Sequence, residues 1–382
     1  MKKFLDCISI VGATPSKFHG TKKYVSTGAV ATTEIDESEV VEVTYEDRPS
    51  RANLSAEAGD ILFAKMQGTR KTLLLDSETE KNIYSTGFYA VRANPEVITT
   101  ECLYYLIDSE LFLAQKDKNC SGATQKAITN GGMAKIEISV PALSEQGILV
   151  DKLKHLTQLI ADKKKQLNLF DEIIKSRFIE MFGDPVTNPL RWAMLPLEKC
   201  LTVLGGYAFK SEEFKTSGVP VLRIGNINTG AFTPTNMVYW SKDDCLTRYQ
   251  VLPGDLVISL TGTVGKDDYG NVCILGNAYP MYYLNQRNAK LILDDELNKH
   301  YLSELLKFSQ IKKKLTGISR GVRQANISNR DILNLVVPIP PIEIQVQFAA
   351  FVEQVDKSKF EIQQSLEKLE ILKKSLMQQY FG

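Results

Sequence analysis

Few side chains in this sequence have the type and spacing for bond-making chemistry. The segment Leu260-Thr-Gly262-Thr-Val-Gly265-Lys266 has the outline of a phosphate loop, but Leu260 stands where that pattern needs glycine and Asp267 where it needs serine or threonine. There is no G-x-S-x-G elbow and no H-E-x-x-H pair, and the three histidines, His19, His155 and His300, are scattered. That leaves little material for acid–base catalysis. The Asn-Pro-Pro-aromatic or Asp-Pro-Pro-aromatic tetrapeptide of adenine methyltransferases is also missing, since Pro340-Pro341 sits in Ile-Pro-Pro-Ile. Cys7, Cys102, Cys120, Cys200, Cys245 and Cys273 lie far apart with no C-x-x-C spacing, which reads as reduced thiols and not as a zinc site or disulfide framework. The sequence predicts neither a catalytic nor a metal site.

What remains is a binding signature. Between Leu305 and Arg330 stand seven basic residues (Lys307, Lys312, Lys313, Lys314, Arg320, Arg323, Arg330) and no acidic one. The stretch from Leu111 to Ile136 carries Lys116, Lys118, Lys126 and Lys135 against the single Asp117. Both run from a helix into a Gly-x-x-Gln loop, where a phosphate backbone can be approached closely. A solvated helix face is the competing reading of Lys312–Lys314. Base edges are read by forked polar groups, Arg or Lys towards guanine and Asn or Gln towards adenine. Such groups cluster at Asn285-Gln286-Arg287-Asn288, Arg323-Gln324-Ala325-Asn326, Lys65-Met-Gln67-Gly-Thr69-Arg70-Lys71 and Thr124-Gln125-Lys126. Plain turns hold similar clusters, so each is a candidate only.

The elements that must position these loops come twice. Gly122-Ala-Thr-Gln125-Lys-Ala-Ile128-Thr-Asn130 aligns with Gly321-Val-Arg-Gln324-Ala-Asn-Ile327-Ser-Asn329 at an offset of 199. The offset then holds without a gap: Pro141 falls on Pro340, Gln146 on Gln345, Lys175-Ser176 on Lys374-Ser375, and Phe182-Gly183 on Phe381-Gly382. Upstream, Ala58-Gly59-Asp60 resembles Pro253-Gly254-Asp255, and Cys7–Gly12 parallels Cys200–Gly205, with slippage of the kind that loops absorb. Each copy reads as a mixed region of short strands, including Asp60–Ala64, Phe88–Arg92, Val219–Ile224, Asp255–Leu260 and Ala289–Leu293. One short helix belongs to each, near Thr100–Gln115 and Leu297–Leu315, and a long helix ending in Phe-Gly follows. The frame recurs while the polar residues around it change, as expected of one scaffold reading two different sequences.

Both long helices carry a heptad seam. Leu149, Leu153, Leu156, Ile160, Lys163, Leu167, Phe170, Ile174 and Arg177 follow a 4,3 spacing, as do Phe348, Val352, Val355, Lys359, Ile362, Leu366, Leu369, Lys373 and Leu376; each set has seven apolar members of nine. A seam needs a partner, and the economical solution is that the two helices pair antiparallel, with a solvated or partner-binding helix as the alternative. A helix of about 30 residues is a rod of roughly 45 Å, a little over one turn of duplex DNA at about 34–36 Å.

With the repeat, the helices and the loops in view, the chain resembles the specificity subunit of type I restriction–modification systems over essentially its whole length. The likeness is carried by Ser259–Lys266, Leu284-Asn-Gln-Arg287, Gly321-x-x-Gln-x-x-Ile327, Val337-Pro-Ile-Pro-Pro-x-x-x-Gln345 and Ser176-Arg-Phe-Ile-Glu-Met-Phe-Gly-Asp-Pro185. Copy one departs from it, because Ala58–Lys71 lacks the second glycine and Ser85-Thr-Gly-Phe replaces Asn-Gln-Arg. The expected fold is α+β: two homologous mixed α/β target recognition domains, residues 1–145 and 184–343, joined by two long helices, 146–183 and 344–382, that form an antiparallel coiled coil with pseudo-two-fold symmetry. The resemblance implies a non-catalytic subunit that recognises double-stranded DNA, each domain reading one half of a bipartite asymmetric target while the helices set the spacer. It implies two methyltransferase subunits and restriction/translocase subunits as partners, with S-adenosylmethionine, ATP and Mg2+ on those partners and no cofactor on this chain. It also adds Thr263 and Lys266 to the DNA-contacting candidates, beside Lys118, Lys312, Lys313, Lys314, Arg320 and the clusters above.

Composition fits this expectation without naming a partner. The 382 residues are 43% hydrophobic and 24% charged, ordinary for globular protein, and 46 Lys+Arg nearly cancel 45 Asp+Glu. An acidic partner must therefore be met by local patches. Met1-Lys-Lys-Phe-Leu resembles a leader, but Asp6 breaks it and Cys7–Gly12 belongs to the repeat; with no long apolar run, a cytoplasmic protein without membrane contact is expected. The rival from another class is a non-catalytic coiled-coil adaptor that does not bind DNA, for which the acid-free basic loops would have no purpose.

Overall fold

The computed structural model describes residues 1–227, 229–263, 268–317 and 324–382, with Gln324 described by its backbone alone. Two compact units divide the chain: Met1–Lys165 with Gln363–Gly382, and Gln166–Ile362. Each unit therefore takes in one copy of the mixed region, the opening half of the long helix that follows it, and the closing half of the other long helix.

In the first unit, one antiparallel sheet runs Ile8–Val11, Phe88–Ala93, Ile61–Ala64, Thr72–Leu74. The second sheet runs Val41–Val43, Lys22–Val25, Ile83–Ser85, Ala52–Leu54, and its middle pair is parallel, with Tyr24 opposite Ile83. Ile61–Ala64 is buried at every position, which is why this strand reads as a continuous apolar run without alternation. Its Phe63 packs on Phe4 and Phe112, and Met377 and Phe381 of the second long helix join the same core.

The second unit repeats this plan strand for strand. Leu201–Gly205, Asn288–Leu293, Leu256–Ser259 and Val272–Ile274 form the antiparallel sheet. Val238–Trp240, Val219–Leu222, Tyr282–Leu284 and Gln250–Val251 form the other, again with a parallel middle pair in which Val221 faces Tyr283. Here the core receives Phe178 and Phe182 from the first long helix, Phe178 stacking on Tyr301 at 5.4 Å.

The long helices span Leu143–Phe182 and Ile342–Phe381. All eighteen seam positions are buried or half-buried along them, whereas flanking positions such as Leu159, Leu169, Phe360 and Ile371 are exposed. Within the second unit the segments run antiparallel: Phe178 and Phe182 meet Phe348 at 5.6 and 5.4 Å, and further along Asp171 pairs with Lys359 at 2.6 Å. Within the first unit the order is likewise antiparallel, with Lys164 on Glu370 at 3.1 Å and Leu149 and Leu153 clustered with Met377 and Phe381. Two polar seam members lie over aromatic rings, Arg177 over Phe351 and Lys373 over Tyr105, each at 5.8 Å.

Each mixed region is locked to its long helix by one buried glutamine. Gln146 Oε1 accepts from Thr99 N at 2.8 Å while its Nε2 donates to Val97 O and Pro141 O, both at 3.0 Å. Gln345 repeats the bonds with Asn298 N at 2.8 Å, Glu296 O at 3.1 Å and Pro340 O at 2.7 Å. A buried amide needs all of its partners, which explains why Pro-x-x-x-x-Gln recurs in the sequence. The single short helix expected in each copy is corrected to two: Thr100–Ile107 and Glu110–Lys118, then Lys299–Lys307 and Ser309–Thr316. In copy one Ser109 breaks the run by accepting Phe112 N as a new N-cap.

Candidate nucleic-acid interface

Three loops far apart in sequence meet in each unit through a short relay of backbone hydrogen bonds. In the first unit Lys65 N donates to Gly87 O and Ile128 N to Lys65 O, both at 2.9 Å. In the second, Leu260 N donates to Arg287 O and Ile327 N to Leu260 O, both at 2.8 Å. The relay gathers the strand-end loop, the Ser85–Phe88 or Asn285–Asn288 turn that links the two sheets, and the segment around Ile128 or Ile327. Register agrees as well, because Met66 bridges Ala127 where Thr261 pairs Asn326. The described residues of the polar clusters thus lie on segments gathered around one relay in each unit.

The sheet-to-sheet turn of the second unit is the more firmly built. Asn285 Oδ1 accepts Arg287 N at 3.2 Å, a turn that Ser85 Oγ imitates by accepting Gly87 N at 3.1 Å. Tyr207 holds the turn from one side, its N donating to Leu284 O at 2.8 Å and its O accepting Gln286 N at 2.9 Å. That approach needs Gly206: a Cβ there would stand 2.2 Å from Asn285 O. From the other side Leu222 O accepts Asn288 Nδ2 at 2.8 Å, which brings the next residue, Arg223, to the same place. Gln286 and Arg287 project into solvent from this frame.

The predicted contacts divide into groups. Gln67, Lys118, Gln125, Lys126, Thr263, Gln286, Arg287, Lys313, Lys314 and Asn326 are exposed. Several others are occupied inside the protein. Arg70 forks onto buried Asp108 at 3.1 and 2.9 Å. Lys71 donates to Thr27 O, and Lys312 is buried with its Nζ on Asn271 Oδ1. Lys65 is half-buried, lies 4.3 Å over the Tyr89 ring and donates to Thr86 O; burial holds its ammonium below the ordinary lysine range. Thr69 gives its carbonyl to buried Lys116, and Asn285 is buried in its turn. Lys266, Arg320 and Arg323 lie outside the described residues, as does the Gln324 side chain.

Two features escaped the sequence reading. Arg223 is one, although a lone arginine closing the apolar run Val219–Leu222 before Gly225 was a usable signal. The other is a cleft of about 730 Å³ in the second unit, where Lys307, Lys312 and Lys313 face Lys359 of the long helix. Three of its lysines have partners, Glu304, Asn271 and Asp171, and Lys313 is exposed. Among the described residues no group of His, Cys, Asp and Glu could hold a metal ion, and no helix is long and apolar enough to cross a membrane.

This duplicated arrangement matches a known family. The model of the type I restriction modification DNA specificity domain matches residues 10–169 and 189–373. The type I restriction enzyme MjaVIII specificity subunit of Methanocaldococcus jannaschii is 25% identical over 322 residues, covering 78% of this chain and 73% of the relative. The EcoKI specificity subunit of Escherichia coli is 26% identical over 193 residues, 46% of this chain but only 39% of its own. Among solved structures, the type I system S subunit from M. genitalium aligns with a TM-score of 0.56 at 13% identity, covering 100% of this chain and 95% of that one, a likeness of fold. Both copies and most of the sequence fall under the family model, so this chain belongs to the type I restriction–modification DNA specificity family.

Proposed function

We propose that the chain is the sequence-reading, non-catalytic subunit of a type I restriction–modification complex, recognising double-stranded DNA. One observation carries this reading: the same backbone relay gathers the polar loops in both units, while the side chains it presents differ. A fixed frame with variable readers is what discrimination between base sequences needs. In this reading residues 1–145 and 184–343 each recognise one half of a bipartite, asymmetric target, and the helices 146–183 and 344–382 set the unread spacer and dock two methyltransferase subunits. Restriction/translocase subunits complete the complex in the cytoplasm, and S-adenosylmethionine, ATP and Mg2+ act on the partners. The exposed Lys118 and Lys126 of one unit, and Lys313 and Lys314 of the other, hold phosphates; Gln67, Gln125, Gln286, Arg287 and Asn326 face base edges, with Thr263 beside them. Arg70, Lys71, Lys65 and Lys312 brace the loops from beneath. Lys266, Arg320, Arg323 and Gln324, which lie outside the described residues or have side chains that do, remain in the reading as DNA contacts.

The test is a gel shift of the chain with its methyltransferase partner across a salt series. Replacing Lys313 and Lys314 together by alanine is expected to weaken all sequences alike and to reduce the slope of log K against log salt by about 2. A DNA affinity and slope equal to wild type would remove these lysines from the interface, and a wild-type complex that retains no DNA would sink the reading and favour the adaptor.

A further inference from the structure

Resting on that reading, we propose that Arg223 and Arg287 of the second unit form a guanine-reading site, and that the first unit has no such site. Between them lies a groove of about 500 Å³ whose walls include Phe209, Phe214, Asn236 and Gln286. No acidic side chain is among its lining residues, so neither guanidinium is neutralised there. Arg287 is exposed, and its guanidinium has no partner among the described residues, which leaves the whole fork for a ligand. Arg223 is held differently. Its Nη2 donates to Asn236 O at 2.6 Å, its Nε is buried without a partner, and Asn236 adopts a left-handed backbone with φ 52°. An unsatisfied buried donor and a strained residue at one place are features that collect at binding sites.

The chemistry selects the ligand. A ligand entering this groove meets two guanidinium groups, the side-chain amides of Asn236 and Gln286, and the aromatic walls Phe209 and Phe214. Guanine offers two adjacent acceptors, O6 and N7, on its major-groove edge, and a forked arginine is the commonest group that reads them. Adenine presents a donor at the same place and would meet Arg287 with like polarity. The site is pre-formed, because the parallel register Leu222 with Leu284 and the bond from Asn288 Nδ2 to Leu222 O fix the two arginines to one frame. In the first unit the parallel pair ends on Val25 and Tyr84, so the corresponding residues are Ser26 and Gly87. Ser26 Oγ is occupied by Ala29 N at 3.2 Å, and a Cβ on Gly87 would stand 2.9 Å from Thr27 Cγ2. No arginine fork can arise there.

The experiment sequences methylated sites genome-wide in cells that carry the full-length chain and its partner subunits, for wild type, Arg287→Ala, Arg287→Lys and Arg223→Ala. The expected result is that one guanine position, in one half of the target, loses discrimination by roughly 10- to 100-fold, the size of one forked contact, while the other half is unchanged. Arg287→Lys keeps the charge but not the fork and should relax the same position. Uniformly weaker methylation with the target unaltered would mean phosphate contact and overturn the proposal, as would a target that no variant changes. A wild-type chain that directs no bipartite methylation would overturn the underlying reading itself, and with it the proposal.

Discussion

The turns Ser85–Phe88 and Asn285–Asn288, each linking the two sheets of its unit, occupy the same place in two copies of one fold, yet they present different surfaces. One shows Thr86 and a bare glycine; the other shows Gln286 and Arg287 on a frame stiffened by Tyr207 and Gly206. Beneath them the relay through Lys65 or Leu260 is the same. The same backbone hydrogen bonds therefore hold two different sets of exposed side chains, which is the division of labour that the proposed DNA reading uses. It also shows that positive charge is a poor guide to contact: Arg70, Lys71, Lys116 and Lys312 all turn inward to hold loops, because Asp108, the Thr27 and Met66 carbonyls and Asn271 wait for them there.

The largest expected effects lie in the two cores. Phe178 and Met377 occupy equivalent turns of the two long helices, the first fully buried among Tyr301, Phe348 and Phe182 and the second 6% exposed. Phe178→Ala is expected to cost about 3–5 kcal/mol and Met377→Ala about 2–5 kcal/mol in equilibrium unfolding. A negligible cost for Phe178→Ala would mean that the first long helix does not complete the second unit.

A smaller effect separates the supports of the two turns. By the repeat, Ala13 stands where the second unit has Gly206. Gly206→Ala drives a Cβ to 2.2 Å from the Asn285 carbonyl and should destabilise by about 1–3 kcal/mol while blurring one half of the target. Ala13→Gly removes nothing the first turn needs and should cost within about 1 kcal/mol. Melting curves of the two variants check this, and equal losses would show that the supports do not differ.

The smallest effect is in acid. Glu101 pairs with Lys154 at 3.7 Å in the first unit, and the repeat turns this pair into His300 and Glu353 at 3.4 Å in the second. Burial, helped by Lys299, holds the His300 imidazole below its ordinary value of 6.5, and Glu353 only partly offsets this. A depressed folded-state value means that the unfolded chain takes up the proton first. Stability from this group is therefore fully present above about 6.5 and falls as pH drops below it. His300→Gln should flatten the melting temperature against pH between about 7 and 5; an unaltered profile would show that His300 titrates as in the unfolded chain.

Much of this was legible in the sequence. The repeat, the seam of nine positions per helix and the Pro-to-Gln spacing were visible because packing and buried hydrogen bonds need the same residue types twice. Of the second sheet of each unit only Val219–Leu222 was legible, since strands such as Lys22–Val25 and Ile83–Ser85 are short and pair across long loops. Nor was the meeting of Lys65, Gly87 and Ile128, whose bonds are made by backbone atoms that every residue has. Exposed polar candidates such as Gln286 could be picked by type, but the fate of each cation depended on partners that only the fold brings near.

The most direct test of the account is to sequence methylated adenines in cells carrying the complete complex, comparing a first-unit variant, Gln125→Ala with Lys126→Ala, against a second-unit variant, Gln286→Ala. The two variants are expected to change different halves of one bipartite target and to leave its spacer unchanged. Variants that alter the same half, or both halves together, would contradict the claim that each unit reads by itself.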